Sequence, residues 1–281
     1  LMSRGVSLED ARDYNIIGCV EPQAPHKTHG WHDAAFFNML RPVELVFSNG
    51  MDEGVQIGLK TGELSSFKTF DDFYNAYKAQ THYMIKLMVN ANNAIDTAHA
   101  ERCPLPYAAS MIDNCIENGK TMEEGGAIYN FTGPQGFGIA NMTDGLYAIK
   151  QLVYEKHLCT LEDFKDAMSH NFGEPIAPKG AQRLTKQVVD NLVKAGKTVS
   201  KEQIMDICRM FLVNETPADK KAKYDNLRKM IDGCPKYGNN IDEVDYFARD
   251  VAYVYTKELE KYKNPRGGIF QAGLYPVSAN V

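Results

Sequence analysis

Between Ile16 and Asn38 the chain reads IIGCVEPQAPHKTHGWHDAAFFN. A cysteine and a glutamate, Cys19 and Glu21, close a short apolar run bounded by Gly18 and Pro22, which reads as a strand running into a loop. On a strand, residues two apart point to the same face, so thiol and carboxylate converge on one small volume. A thiolate nucleophile needs a base or a positive environment to lower its pKa. The charge of Glu21 works the other way. The pair suits a thiol kept neutral beside a carboxylate that acts as base on a third group. A core cysteine beside a surface glutamate is the plain alternative, and these two residues alone leave it open.

Two other chemistries are weaker. His26, His29 and His32 are spaced i, i+3, i+6, with Asp33 next to the last. Two of them would share a helix face and bind one ion, but Pro25, Thr28 and Gly30 interrupt any helix there. Polar loop histidines or a substrate contact compete with a metal site. The stretch GPQGFGIAN, Gly133 to Asn141, resembles a phosphate loop, but the dinucleotide fingerprint needs a third glycine where Asn141 stands. A tight turn that brings backbone close to a neighbour fits better.

These residues need elements to hold them. Ser7 with Asp10 caps a short helix through Tyr14. WHDAAFFNMLRPVELVFSNG reads as helical, with Pro42 as a kink or restart and Asn49-Gly50 as the stop. Thr69 with Asp72 caps a long helix with Phe70, Phe73, Tyr77, Tyr83 and Leu87 on its apolar face, and a shorter helix covers about 106–118. A strand at about 126–131 and a glycine-rich turn lead into a helix through about His157. Thr160 with Asp163 caps the next helix, and helices also fit about 180–194, 200–213, 217–231 and 241–262. The stretch 268–281 reads as strand, with Tyr275, Val277 and Ala279 alternating toward one face. Strands alternating with helix groups predict an α/β fold with a mainly parallel sheet or barrel. Several helices per interval exceed the one-helix crossover of a simple barrel.

Bulk properties exclude several function classes. The 281 residues are 44% hydrophobic and 24% charged, with a net charge of −5, as in ordinary globular proteins. No basic stripe suits nucleic acid, and no apolar run reaches the ~18 residues of a membrane span. The first residues have no apolar segment of the signal-peptide kind. Cys19, Cys103, Cys115, Cys159, Cys208 and Cys234 are widely spaced with no Cys-x-x-Cys. Reduced thiols in a cytoplasmic protein are expected, most of them small buried hydrophobes. A start on Leu1 and an end in GGIFQAGLYPVSANV suggest an internal piece of a longer protein.

IIGCVEPQ resembles the cysteine loop of the glycyl radical enzymes, the pyruvate formate-lyase group. Cys19-Val20-Glu21 resembles its eliminating branch, and GWHDAAFFNMLRPVELVFSNG is most similar to the B12-independent glycerol and propanediol dehydratases. NANNAIDTAHAERCPLP, EGGAIYNFTGPQGFGIANMTD, PKYGN and GLYPVSANV are in the same style, so the resemblance covers nearly the whole chain. It implies part of a ten-stranded α/β barrel surrounded by helices. The whole of 1–281 would be one barrel domain, truncated at its N-terminus and before the C-terminal glycyl radical domain. The family's Arg-Val-x-Gly-Tyr radical motif does not occur in the sequence.

The resemblance also implies the chemistry. The glycine radical, outside this chain and installed by a separate radical S-adenosylmethionine activase, takes hydrogen from Cys19. The Cys19 thiyl takes hydrogen from the substrate carbon that bears the hydroxyl, Glu21 removes that hydroxyl's proton, and the neighbouring carbon expels its group. Asp33 falls where the diol dehydratases hold a substrate hydroxyl; a charge at a helix N-terminus would be equally ordinary there. His29 and His32 are possible proton donors left outside this assignment. No bound cofactor or metal is implied. A homodimer and an anaerobic or facultative host are. A glycyl radical lyase that dehydrates glycerol or propane-1,2-diol is expected, inactive as this fragment alone. The competing readings are a sulfite-lyase of a hydroxysulfonate such as isethionate and a non-catalytic remnant. The sulfite-lyase would need cations such as Arg41, Arg228 or Arg266.

Overall fold

The computed structural model describes residues 1–18, 21–175, 181–210 and 218–275. Along the chain run α1 (Leu8–Arg12), β1 (Asn15–Ile17), β2 (Glu21–Gln23), β3 (Trp31–Asn38), α2 (Arg41–Phe47) and α3 (Phe70–Arg102). Then follow β4 (Thr132–Phe137), α4 (Ile139–Ile149), α5 (Leu161–Ser169), α6 (Ala181–Lys194), α7 (Lys201–Met210), α8 (Ala218–Asp232), α9 (Asp242–Leu259) and β5 (Gly273–Leu274). Two compact units result, one from Leu1–Tyr147 with Pro235–Val281 and the other from Ala148–Cys234. No helix among the described residues is long and apolar enough to cross a membrane.

The helix starts follow local chemistry. Ser7 accepts from the Asp10 amide at the head of α1. Thr69 and Asp72 form a reciprocal capping box on α3, and Thr160 and Asp163 do so on α5. Each box satisfies two amides that a helix N-terminus leaves without carbonyl partners. The long helix α3 buries Phe73, Ala76, Tyr77, Gln80, Thr81, Ile85, Val89, Asn92 and Asp96. That stripe differs from the expected one: Leu87 is 44% exposed, and polar residues take the inward positions toward the C-terminal end. The expected helix over 106–118 is two single turns, Pro106–Ala109 and Cys115–Asn118.

The largest departures are strands. Trp31–Asn38, expected to be helical, is β3, and only Arg41–Phe47 of that stretch is helix. The glycine-rich TGPQGF, expected to be a turn after a strand at 126–131, is itself β4. The two pair in parallel, and β4 pairs in parallel with β5, giving the order β3-β4-β5. Pairing with neighbours outweighs the low strand propensity of glycine and proline here. Of the expected 268–281 strand, β5 covers Gly273–Leu274; Val277 and Ala279 lie outside the described residues.

Aligned residues of this sheet share a face. One face is covered by helices: Trp31 meets the His99 ring of α3 at 5.6 Å, and Phe37 stacks on Tyr255 of α9 at 5.1 Å. Gly136 lies on the same side, where an added Cβ would come within 2.9 Å of the Tyr255 ring. The other face carries His32, Phe36, Gly133, Gln135, Phe137, Gly273 and Tyr275. Phe36 is 67% exposed there.

The Ala148–Cys234 unit is helical. In it Tyr224 is buried, its hydroxyl meets Asp166 and His170, and Lys220 pairs with Asp166.

Candidate active site

Glu21 opens β2, which returns antiparallel on β1 with Ile17 opposite Glu21. The strand expected at about 16–20 ends at Ile17, and Glu21 begins a separate strand that pairs back on it. Cys19 lies outside the described residues. Glu21 is not a surface residue; it is buried, 6% exposed. A Cβ added at Gly18 would come within 2.7 Å of the Glu21 Oε2 atom. The carboxylate therefore lies against the backbone of the residue that precedes Cys19.

His32 stands next to this carboxylate in charge space. Burial pushes its imidazole pKa down, while the carboxylates of Glu21 and Asp33 act against that shift and the Arg266 guanidinium adds to it. Its Nε2 is buried and has no hydrogen-bond partner among the described residues. Its ring lies over Gly133, where an added Cβ would be 3.5 Å from Nδ1. A neutral imidazole thus lies within electrostatic reach of two carboxylates.

Asp33 owes its position to a proline in the neighbouring strand. Pairing runs from His32↔Gly133 directly to Phe36↔Gln135, so residues 33–35 oppose the single residue Pro134. Proline has no N–H to give the ladder, and the Pro134 carbonyl accepts from the buried Tyr255 hydroxyl at 3.0 Å instead. The bulge leaves Asp33 exposed and at φ 54°, a region that costs an L-residue energy but that aspartate tolerates better than most. Strain held at a bulge beside other polar groups is a mark of functional sites.

The three histidines diverge. The His26 carbonyl accepts from the Asp113 amide at 2.7 Å. His29 is half-buried, and burial, reinforced by Arg266, pushes its pKa down to about 4. Among the described residues no group of three or more His, Cys, Asp or Glu gathers as for a metal. Of the glycine-rich stretch, Gly133 and Gly136 lie in β4, and Gly138, at φ 85°, joins that strand to α4.

Arg266 is buried with Asp96, to which its Nε donates at 2.9 and 3.0 Å. Its other nitrogens donate to the carbonyls of His29 and Phe131 and to the Thr132 hydroxyl. The cation therefore ties α3, the loop before β3 and the start of β4 together. Asp96 carried no chemical signal in the sequence; its place on the buried stripe of α3 was the clue. Arg41 pairs with Glu44 and Asp52, and Arg228 with Glu174. Of the described thiols, Cys115 and Cys234 are buried, Cys159 and Cys208 half-buried and Cys103 exposed, fewer buried than expected.

A parallel sheet backed by helices on one side and open on the other describes part of an α/β barrel. The sequence matches the family described as pyruvate formate lyase-like over residues 1–281, and the chain belongs to that family. Its fold is that of the glycyl radical enzyme barrels. A structure of the enzyme for 1,2-propanediol dehydration in Roseburia inulinivorans is 54% identical with a TM-score of 0.85, covering 100% of this chain and 34% of that one. The glycerol-bound B12-independent glycerol dehydratase from Clostridium butyricum is 44% identical with a TM-score of 0.79, covering 99% of this chain and 29% of that one. The (2S)-3-sulfopropanediol dehydratase of Klebsiella oxytoca is 33% identical over 283 residues, which are 100% of this chain and 29% of that protein. The chain thus spans about a third of the length of these relatives.

Proposed function

We propose that this chain is the part of a glycyl radical lyase barrel that carries the thiol and the base, and that the whole protein dehydrates a small 1,2-diol, glycerol or propane-1,2-diol, to an aldehyde. The observation that carries the reading is the buried Glu21 carboxylate against Gly18, in electrostatic reach of the same imidazole as Asp33. The two diol dehydratases at 54% and 44% identity support the substrate class. In this reading 1–281 is one barrel domain of a cytoplasmic homodimer, and a radical S-adenosylmethionine activase is its partner.

A glycyl radical, held on a residue outside this chain, supplies the unpaired electron that makes a thiyl of Cys19. The Cys19 sulfur takes a hydrogen atom from the substrate carbon C1. Glu21 accepts the proton of the C1 hydroxyl, because a deprotonated ketyl expels a neighbouring group far more readily than a neutral one. Asp33 accepts a hydrogen bond from a substrate hydroxyl and so fixes which C–H faces the sulfur. The C2 hydroxyl leaves with the proton that Glu21 took, as water, and the carbon radical recovers its hydrogen from Cys19. Atoms balance as diol to aldehyde plus water.

The sulfite-lyase alternative needs cations for a sulfonate. Arg41, Arg228 and Arg266 are each engaged with carboxylates in this chain, which favours the diol. The test is the activated full-length gene product, without oxygen, given glycerol, propane-1,2-diol and isethionate in turn. Aldehyde from a diol is expected. Sulfite from isethionate with no aldehyde would support the alternative, and activation with no turnover of any of the three would support a remnant.

A further inference from the structure

Gln135 sits at the centre of the open face of the β3-β4-β5 sheet. It aligns with Phe36 on one side and Gly273 on the other. Its carboxamide leans over Gly273, where a Cβ would come within 1.8 Å of Oε1 and 2.8 Å of Nε2. Only glycine leaves room for that pose. The residue is 4% exposed, yet no described residue hydrogen-bonds its side chain. Its amide atoms are not among the buried polar atoms that lack a partner, so the carboxamide keeps its access to the open face, where a ligand can meet it.

The position along the strand suggests that use. Gly133, beneath the His32 ring, is two residues earlier on the same face, about 7 Å away at the rise of a strand. Asp33 follows His32 directly. Gln135 thus lies one step along the open face from the His32–Asp33 end, a separation on the scale of a small polyol. Phe36, Phe137 and Tyr275 form an aromatic row beside it, with ring centres 5.0 and 5.7 Å apart.

We infer that Gln135 is a specificity residue: its carboxamide hydrogen-bonds a polar group on the third carbon of the substrate, the carbon that does not react. The inference rests on the diol dehydratase reading. A site built to pair a hydroxyl discriminates against an analogue that lacks it, because its own polar group is left unpaired. Glycerol fills that bond and propane-1,2-diol does not.

The experiment is kcat/KM of the activated full-length protein and its Gln135→Met variant for both diols. Methionine keeps the length and removes the amide. Glycerol should lose about 10- to 100-fold, from one buried hydrogen bond, and propane-1,2-diol less than about 3-fold. Equal losses on the two substrates would mark Gln135 as structural and overturn the inference; so would no loss on either. A wild-type comparison keeps it testable if the variant does not fold. There 3-chloropropane-1,2-diol, near glycerol in size but without the C3 hydroxyl, should have a KM at least about 10-fold above that of glycerol, and equal values would overturn the inference. If wild type dehydrates both diols and these ratios do not move, only the role of Gln135 falls. If it dehydrates neither, the diol reading falls and takes this inference with it.

Discussion

The two faces of one three-stranded sheet differ in kind. On the helix side, Phe37 stacks on Tyr255, and Trp31 meets His99. On the other side stand His32, Gln135 and the Asp33 bulge, with a buried imidazole nitrogen that no described residue pairs. The same strands supply both, by alternation. On the covered side the Tyr255 hydroxyl donates to the Pro134 carbonyl, whereas on the open face the His32 Nε2 atom has no partner among the described residues. In the proposed reading the difference separates residues that hold the barrel from residues that use it.

Mutations can break that separation or sharpen it. The largest stability effect is expected for Arg266→Ala. It leaves Asp96 buried without its cation and strips donors from two carbonyls, so a loss of about 3–5 kcal/mol is expected in chemical denaturation. Phe37→Ala, on the covered face, should cost about 3–4 kcal/mol while leaving kcat/KM per folded molecule within about 3-fold. Asp33→Asn should do the opposite. Asparagine keeps the left-handed backbone conformation at little cost, so the melting temperature should hold while kcat/KM for the diol falls about 10- to 100-fold. A large Tm change with unchanged kinetics would return Asp33 to the structural set.

The smallest effect is on pH. His29 has its pKa lowered from 6.5 to about 4 in the folded protein. The unfolded chain therefore binds more protons between these values, and stability should fall as pH drops from about 6.5 toward 4. His29 is only half-buried, so the loss should be about 1–2 kcal/mol at most. His29→Gln should flatten that part of the profile.

Local chemistry was legible from the sequence wherever it was local. Thr69 with Asp72 and Thr160 with Asp163 announce their helices within four residues, and no distant partner is needed. The strands were not. WHDAAFFN carries two alanines and no alternation of apolar and polar residues, and TGPQGF carries two glycines and a proline. Both become strands because they pair with each other across about a hundred residues. Glu21 and Asp33 took their roles from family resemblance, and the β1-β2 pairing sets Glu21 opposite Ile17 and against Gly18. Gln135 gave no signal, because its meaning lies in Gly273, far along the chain, making room for it.

The central claim is that the Cys19 thiol moves hydrogen atoms while Glu21 moves the proton. The direct test is Glu21→Gln in the activated full-length protein, run in D2O with propane-1,2-diol. Thiol hydrogens exchange with solvent, so deuterium should enter C1 of recovered diol while aldehyde formation falls at least about 1000-fold. Aldehyde at near wild-type rates would contradict the account.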